Sequence, residues 1–307
     1  MEFTASLSRP GFRGLSGTAL KAIALALMVL DHIHYFFEYT GLIPEWFSML
    51  GRLAAPLFLF CAVEGFAHTH NRRKYFFRIW IIGAAIGSLL FAMAYFGVLV
   101  RPDGFYPLNG ILLNFVVLMP IWQGIDWLRQ RRIGPGLAAI LIPILYPFAL
   151  AAVVNLIPAL GYPIPALGYP AAYISMSILP SWTSITDGGV IFILQGILLY
   201  ALRSRRGWQM AAYAAVSLAA YVGLVGYQLT AQGLPFSALL TEVYQWMEIF
   251  AIPLMLCYNG QRGRGFQKLF YVFYPAHVYV LYALSWSSRR SWRHERILYD
   301  FSLWRRY

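Results

Sequence analysis

Acidic residues are scarce in this chain: 12 Asp and Glu stand among 307 residues, against 24 Lys and Arg. Charged residues of both signs make up only 12%, about half the share of an ordinary soluble domain. A soluble surface cannot be built from so few, so a water-soluble globular fold is excluded. Cysteine is equally rare. Cys61 and Cys257 both lie in apolar runs without CxxC spacing, which argues against a disulfide framework, thiol redox chemistry and structural zinc. Long hydrophilic stretches are also missing, leaving no room for a sizeable soluble module.

What is present is hydrophobic, at 60% of residues and a mean hydropathy of +0.59. Apolar runs recur at Leu20–Phe37, Leu50–Phe66, Phe76–Val98, Ile111–Leu128, Ile133–Leu156, Val190–Leu202, Met210–Leu229, Phe236–Tyr258 and Leu269–Ser285. Crossing ~30 Å of hydrocarbon takes about 20 apolar residues in a helix. The fold class expected is therefore all-α, a polytopic transmembrane helix bundle of 9–10 spans. Ala166–Leu179 is the tenth candidate or a re-entrant segment. The expected organisation is a segment at 1–18, a transmembrane domain at 19–288 and a basic tail at 289–307. The first span is expected to serve as an uncleaved anchor.

The net charge of +12 is not a nucleic-acid footprint, because the basic residues fall in short clusters between spans. These are Arg9 and Arg13; Arg72, Arg73, Lys74 and Arg78; Arg129, Arg131 and Arg132; Arg203, Arg205 and Arg206; and Arg262, Arg264 and Lys268. Alternate loops carry no Lys or Arg, so the positive-inside rule predicts a cytoplasmic N-terminus and cytoplasmic clusters. An odd number of spans sends the arginine-rich tail to the other side, which leaves the C-terminal half of this topology open. A tandem IPALGYP heptad, Ile157–Pro163 and Ile164–Pro170, reads as a stiff extended lid, since proline at this density interrupts a helix.

Polar residues inside apolar spans are the candidates for function. Lys21 and His32 are eleven residues apart, about three helical turns, so they share one face ~16 Å apart along the axis. Asp31 and His34 flank His32. His32 and His34, two apart, point about 200° from each other and are unsuited to one metal, so no metal site is expected. Asp31 is turned ~100° from His32, which directs it to a neighbouring helix, to Arg52 or to His277. Arg52 opens the second span and Glu64 stands near its end, four residues before His68. Either an ion pair between helices or a substrate contact accounts for both. Pro275 loosens the last span just before His277. Asn259 to Gly265 forms a Gly-rich basic loop that either meets phosphate with backbone N–H groups and Arg262, or is a plain positive-inside loop.

The segments LKAIALALMVLDH, GRLAAPLFLFCAVEGFAHT, Asp187–Gly189, YNGQRG and FYPAH occur in order from about Gly17 to Leu284 and together resemble the TraX family. The resemblance implies a membrane acetyltransferase that takes its acyl group from acetyl-CoA, the namesake acting on the N-terminus of conjugative pilin. It also implies the bacterial inner membrane. A wider similarity is to polytopic acyltransferases whose first helix carries a basic residue, ten intervening residues and a histidine; Lys21 and His32 match. That likeness carries Arg73 and Arg78 over as donor contacts, although RRKYFFR is not spaced like the corresponding cluster. The expectation is thus acyl transfer from cytoplasmic acyl-CoA to an amine or hydroxyl acceptor (a peptide N-terminus, a glycan, a lipid or a small amine), with no nucleic acid involved. His32 with Asp31 forms the catalytic pair, as general base or as an acyl-histidine. Lys21, Arg52, Glu64, Arg73, Arg78, Asn259, Arg262 and His277 are expected to contact substrate. A transporter built on the same intramembrane Lys, Asp, Glu and His is the competing class.

Overall fold

The computed structural model describes residues 14–159, 165–185, 187–263, 265 and 267–289. Among them every regular element is helical. Lipid dictates this, because backbone N–H and C=O groups have no water to bond and a helix satisfies them within itself. Among the described residues six helical rods are long and apolar enough to cross a membrane: Gly17–Thr40, Trp46–His68, Arg72–Phe96, Ile111–Arg129, Ile133–Leu156 and Arg206–Ala231.

The first helix, α1 (Gly17–Phe37), begins at Ser16, whose Oγ accepts from Ala19 N at 3.2 Å. Two of its unpaired N–H groups are satisfied by the distant Gly-rich loop: Gly17 N donates to Gln261 O at 2.8 Å and Thr18 N to Arg262 O at 3.0 Å. The glycines of that loop serve close approach. Gly263 has φ +78°, and a Cβ there would lie 2.5 Å from Ser16 Oγ. The loop is thus a clasp on the start of α1, its carbonyls turned to the helix.

The second rod is broken. α2 (Trp46–Gly51) and α3 (Ala54–His68) meet at Arg52–Leu53. At Gly51 the chain passes so close to α1 that a Cβ would sit 2.3 Å from that of Asp31. α4 (Arg72–Phe96) is capped by Asn71, which accepts from Lys74 N at 2.9 Å, and closes on Gly97 at φ +64°. α5 (Ile111–Arg129) and α6 (Ile133–Ala159) form a tight hairpin; a Cβ on Gly124 would fall 2.7 Å from Gly136 O, the small-residue contact that packs helices in lipid. α6 is otherwise peripheral and faces lipid along most of its length.

Four sequence-based expectations change here. The doubtful tenth span is α7 (Pro165–Tyr173) followed by a wide-turn segment, Ile174–Ile178, which packs on α4 at Gly87 and is too short to cross. Half of the proline-rich lid is accordingly helical: α6 runs to Ala159 and α7 takes up the second heptad, while 160–164 lie outside the described residues. Val190–Leu202 is the short helix α8 (Gly189–Ala201). The run Phe236–Tyr258 is not one helix: α11 (Ala238–Thr241), a 3₁₀ segment over Gln245–Ala251 and α12 (Ile252–Leu256) divide it. Its Gln245 and Glu248 face the bundle interior, where irregular backbone is tolerated because protein or a cavity surrounds it.

Between these lie α9 (Arg206–Ser217), a wide-turn segment at Leu218–Leu224 and α10 (Val225–Ala231), one continuous rod. The last helix, α13 (Gln267–Arg289), keeps Pro275 in its interior and runs parallel to α1. Its start lies beside the clasp, and at its other end Ser285 meets Tyr39 and Arg101. The basic tail beyond Arg289 lies outside the described residues.

One end of the bundle is tied by Asp126 of α5. It accepts from Arg72 Nη2 of α4 at 2.8 Å, from Tyr200 Oη of α8 at 2.7 Å and from Arg203 Nη2 at 2.6 Å. Removing one partner of such a buried cluster strands the other charges. Asp126→Ala should lower stability by about 3 kcal/mol, the low end of the usual range because the arginines remain partly exposed. The thermal midpoint in detergent checks this, and an unchanged midpoint would show that the cluster does not hold α4, α5 and α8 together.

Candidate active site

A cavity of about 1160 Å³ runs through the bundle beside α1. Its lining changes character along the helix. At the start of α1 the mouth is basic, with Lys21, Lys74, Arg78 and Arg262, and aromatic, with Phe270 and Tyr271. Lys21 Nζ stands 6.0 Å from the Phe270 ring centroid, and Arg78 Cζ 5.4 Å from that of Tyr271. Such contacts hold a cation beside an apolar wall without neutralising it. The waist is apolar: Leu25, Met28, Ala55, Phe58, Leu112 and Phe115. Beyond it come Asp31, His32, Arg52, Asp187 and Glu248, and at the far end Glu38, Glu45 and Glu242.

His32 is oriented by its own helix. Its Nδ1 lies 2.7 Å from Met28 O, one turn back. A carbonyl oxygen only accepts, so Nδ1 carries the proton and Nε2 keeps the lone pair. His277 is held in the same way, with Nδ1 2.9 Å from Phe273 O. The two rings meet edge to face, centroids 4.8 Å apart and planes at 81°. His277 does not line the cavity; it stands behind His32 and stacks on Phe273.

Asp31 pairs with Arg52, Nη2 to Oδ1 at 2.8 Å. Arg52 also donates to Ser48 Oγ at 2.8 Å and to Gln245 Oε1 at 3.2 Å. Gln245 in turn donates to Glu248 Oε2 at 3.1 Å, and Glu248 Oε1 accepts from Ser217 Oγ at 2.6 Å and from Gln195. One hydrogen-bonded chain therefore joins α1, α2, the broken segment, α8 and α9 along the cavity wall.

Of the residues expected from sequence, Lys21, Asp31, His32, Arg52, Arg78 and Arg262 line the cavity together. Four do not. Glu64 is turned away to Arg206, 3.1 Å off, with His68 beside it at 3.7 Å. Arg73 is exposed at the start of α4 and outside the lining. Asn259 belongs to the clasp, its Oδ1 accepting from Gln261 N at 2.9 Å. His277 is the ring behind His32. Glu248 and Asp187 were missed. Glu248 had a signal, a carboxylate within an apolar run; Asp187 had only its Asp-Gly-Gly context. Among the described residues no three His, Cys, Asp or Glu side chains converge on a point that would hold a metal ion.

The TraX protein family model matches residues 16–285, from the cap of α1 to the last turns of α13. A probable fimbrial assembly protein FimC, serogroup H1, of Dichelobacter nodosus is 28% identical over 272 residues, covering 87% of this chain and 94% of the relative. The protein TraX of Escherichia coli is 33% identical over 138 residues, 45% of this chain and 48% of that protein. No solved structure matches. With its cavity-bearing bundle matched almost end to end, this multi-pass membrane protein belongs to the TraX family.

Proposed function

We propose that the protein is an integral membrane acyltransferase, an acetyltransferase by preference, that moves an acyl group from cytoplasmic acyl-CoA to an amine or hydroxyl acceptor. The observation that carries this reading is the shared cavity wall of Lys21 and His32. A basic mouth suits the phosphates of CoA, and the apolar waist suits its pantetheine arm. The ~16 Å of helix between the two residues is close to that arm's reach. Thioester and His32 Nε2 would then meet beyond the waist. Nε2 takes the proton of the attacking N–H or O–H as the new bond to the carbonyl carbon forms and the C–S bond breaks, then returns a proton to the departing sulfur. Arg52, fixed by Asp31, supplies positive charge near the developing oxyanion. The acidic far end leaves the acceptor its own entrance. By the positive-inside rule the N-terminus and the mouth are cytoplasmic, in the bacterial inner membrane.

His32→Ala should reduce CoA release from acetyl-CoA by about 10²–10⁴-fold while leaving donor binding intact. Turnover near that of the unaltered protein would remove His32 from the chemistry. Lys21→Ala should raise the KM for acetyl-CoA with little change in kcat, because a mouth lysine holds the donor equally in ground and transition states. A lowered kcat at constant KM would contradict that. Sidedness is read from radiolabelled acetyl-CoA and sealed vesicles: inside-out vesicles should bind it, with an affinity that falls as salt rises. Binding by right-side-out vesicles alone would refute the threading. Movement of a solute without any CoA release would instead identify a transporter.

A further inference from the structure

Three carboxyl groups line the cavity just beyond its waist, and two of them are held by side-chain donors. Asp31 is paired with Arg52, and Glu248 accepts from Ser217, Gln195 and Gln245. Asp187 differs. Its Oδ2 accepts from Ile111 N, the first residue of α5, at 3.1 Å, and among the described residues Oδ1 takes no hydrogen bond. The backbone around it is built to hold it there. Asn114 Nδ2 donates to Asp187 O at 2.7 Å, and Gly188 follows at φ +89°, where a Cβ would fall 3.1 Å from the same Nδ2. Capping α5 needs one oxygen, and the other is left to the cavity.

We propose that Asp187 is the acceptor-side catalytic carboxylate: its Oδ1 binds the nucleophile's N–H and, when the acceptor arrives as a primary ammonium, takes the first of the two protons that nitrogen must lose. This rests on the acyltransferase reading. An ammonium has no lone pair and cannot attack a thioester. Asp187 removes one proton to give the free amine. That nitrogen attacks the carbonyl carbon, the second proton passes to His32 Nε2 and on to the thiolate released as the C–S bond breaks. The products are amide, CoA thiol and one proton, left on Asp187 for the acidic end of the cavity. The groups facing Asp187 are Asp31 from α1, Arg52 from the end of α2 and Tyr274 from α13. The loop that carries it lies outside every spanning helix, and burial pushes its carboxyl up to about 7, so near neutral pH it both accepts and releases a proton.

The test uses the full chain in lipid nanodiscs, acetyl-CoA, and glycinamide as the amine probe, with CoA release followed across pH. Asp187→Asn keeps an oxygen for Ile111 N–H and should bind acetyl-CoA normally. At pH 7 it should transfer about 10²-fold more slowly. By pH 9.5 the probe, an α-amine with pKa near 8, is already deprotonated, and the defect should shrink to less than about tenfold. Undiminished transfer by D187N, or a defect equal at both pH values, overturns the role. Should D187N lower the unfolding midpoint, Asp187→Glu decides: it should keep the wild-type pH profile at a reduced rate, and a profile as steep as that of D187N overturns the role. If the unaltered chain binds no acetyl-CoA, the acyltransferase reading itself falls, a result separable from each of these.

Discussion

Arg52 holds the cavity wall together. A guanidinium among lipid-spanning helices is costly unless its donors are met, and this one is met by Asp31, Ser48 and Gln245. Each partner belongs to a different element. The constraint reaches further through Gln245 to Glu248, and from there to Gln195 and Ser217. Glycine at position 51 is the steric condition for the pair, since any side chain there would collide with Asp31. The break between α2 and α3 places Arg52 at the end of a short helix rather than inside a long one, and its planar fork then spans two neighbours.

The same constraint accounts for the irregular segment after Pro235. A regular helix there would present one polar stripe, whereas the 3₁₀ segment carries Gln245 and Glu248 toward Arg52, α8 and α9. Wide-turn helix like that at Leu218–Leu224 often marks functional regions; here it follows Ser217, a Glu248 donor. Irregular backbone thus concentrates along one part of the cavity wall, while the regular rods α1, α4 and α5 supply the rest and α6 stands outside it.

At the opposite end the order of the cavity depends on the clasp. The carbonyls of Gln261 and Arg262 take the first N–H groups of α1, which fixes the mouth against the helix that carries Lys21 and His32. The loop's glycines serve contact, and its arginine serves the mouth. Two of the loop's backbone N–H groups are already engaged within the clasp: Asn259 N donates to Leu15 O, and Gln261 N to Asn259 Oδ1.

The sequence by itself determined the membrane setting, the helical class and the shared face of Lys21 and His32. All three follow from local rules: apolar run length, the absence of charge, and the 3.6-residue turn. It also pointed Asp31 toward a neighbouring helix, because a residue 100° around from His32 cannot face the same way. Tertiary structure decided which partner each polar residue took. Glu64 found Arg206, 142 positions away, and Arg52 found Gln245 across 193, pairings that no periodicity encodes. It also decided that Phe236–Tyr258 is broken, because hydropathy reports the cost of leaving water but not whether backbone groups find partners elsewhere. Asp187 belongs to this second class: only the packing of two helix starts against each other turns a loop carboxylate toward the ring of His32's cavity and leaves one oxygen open to it.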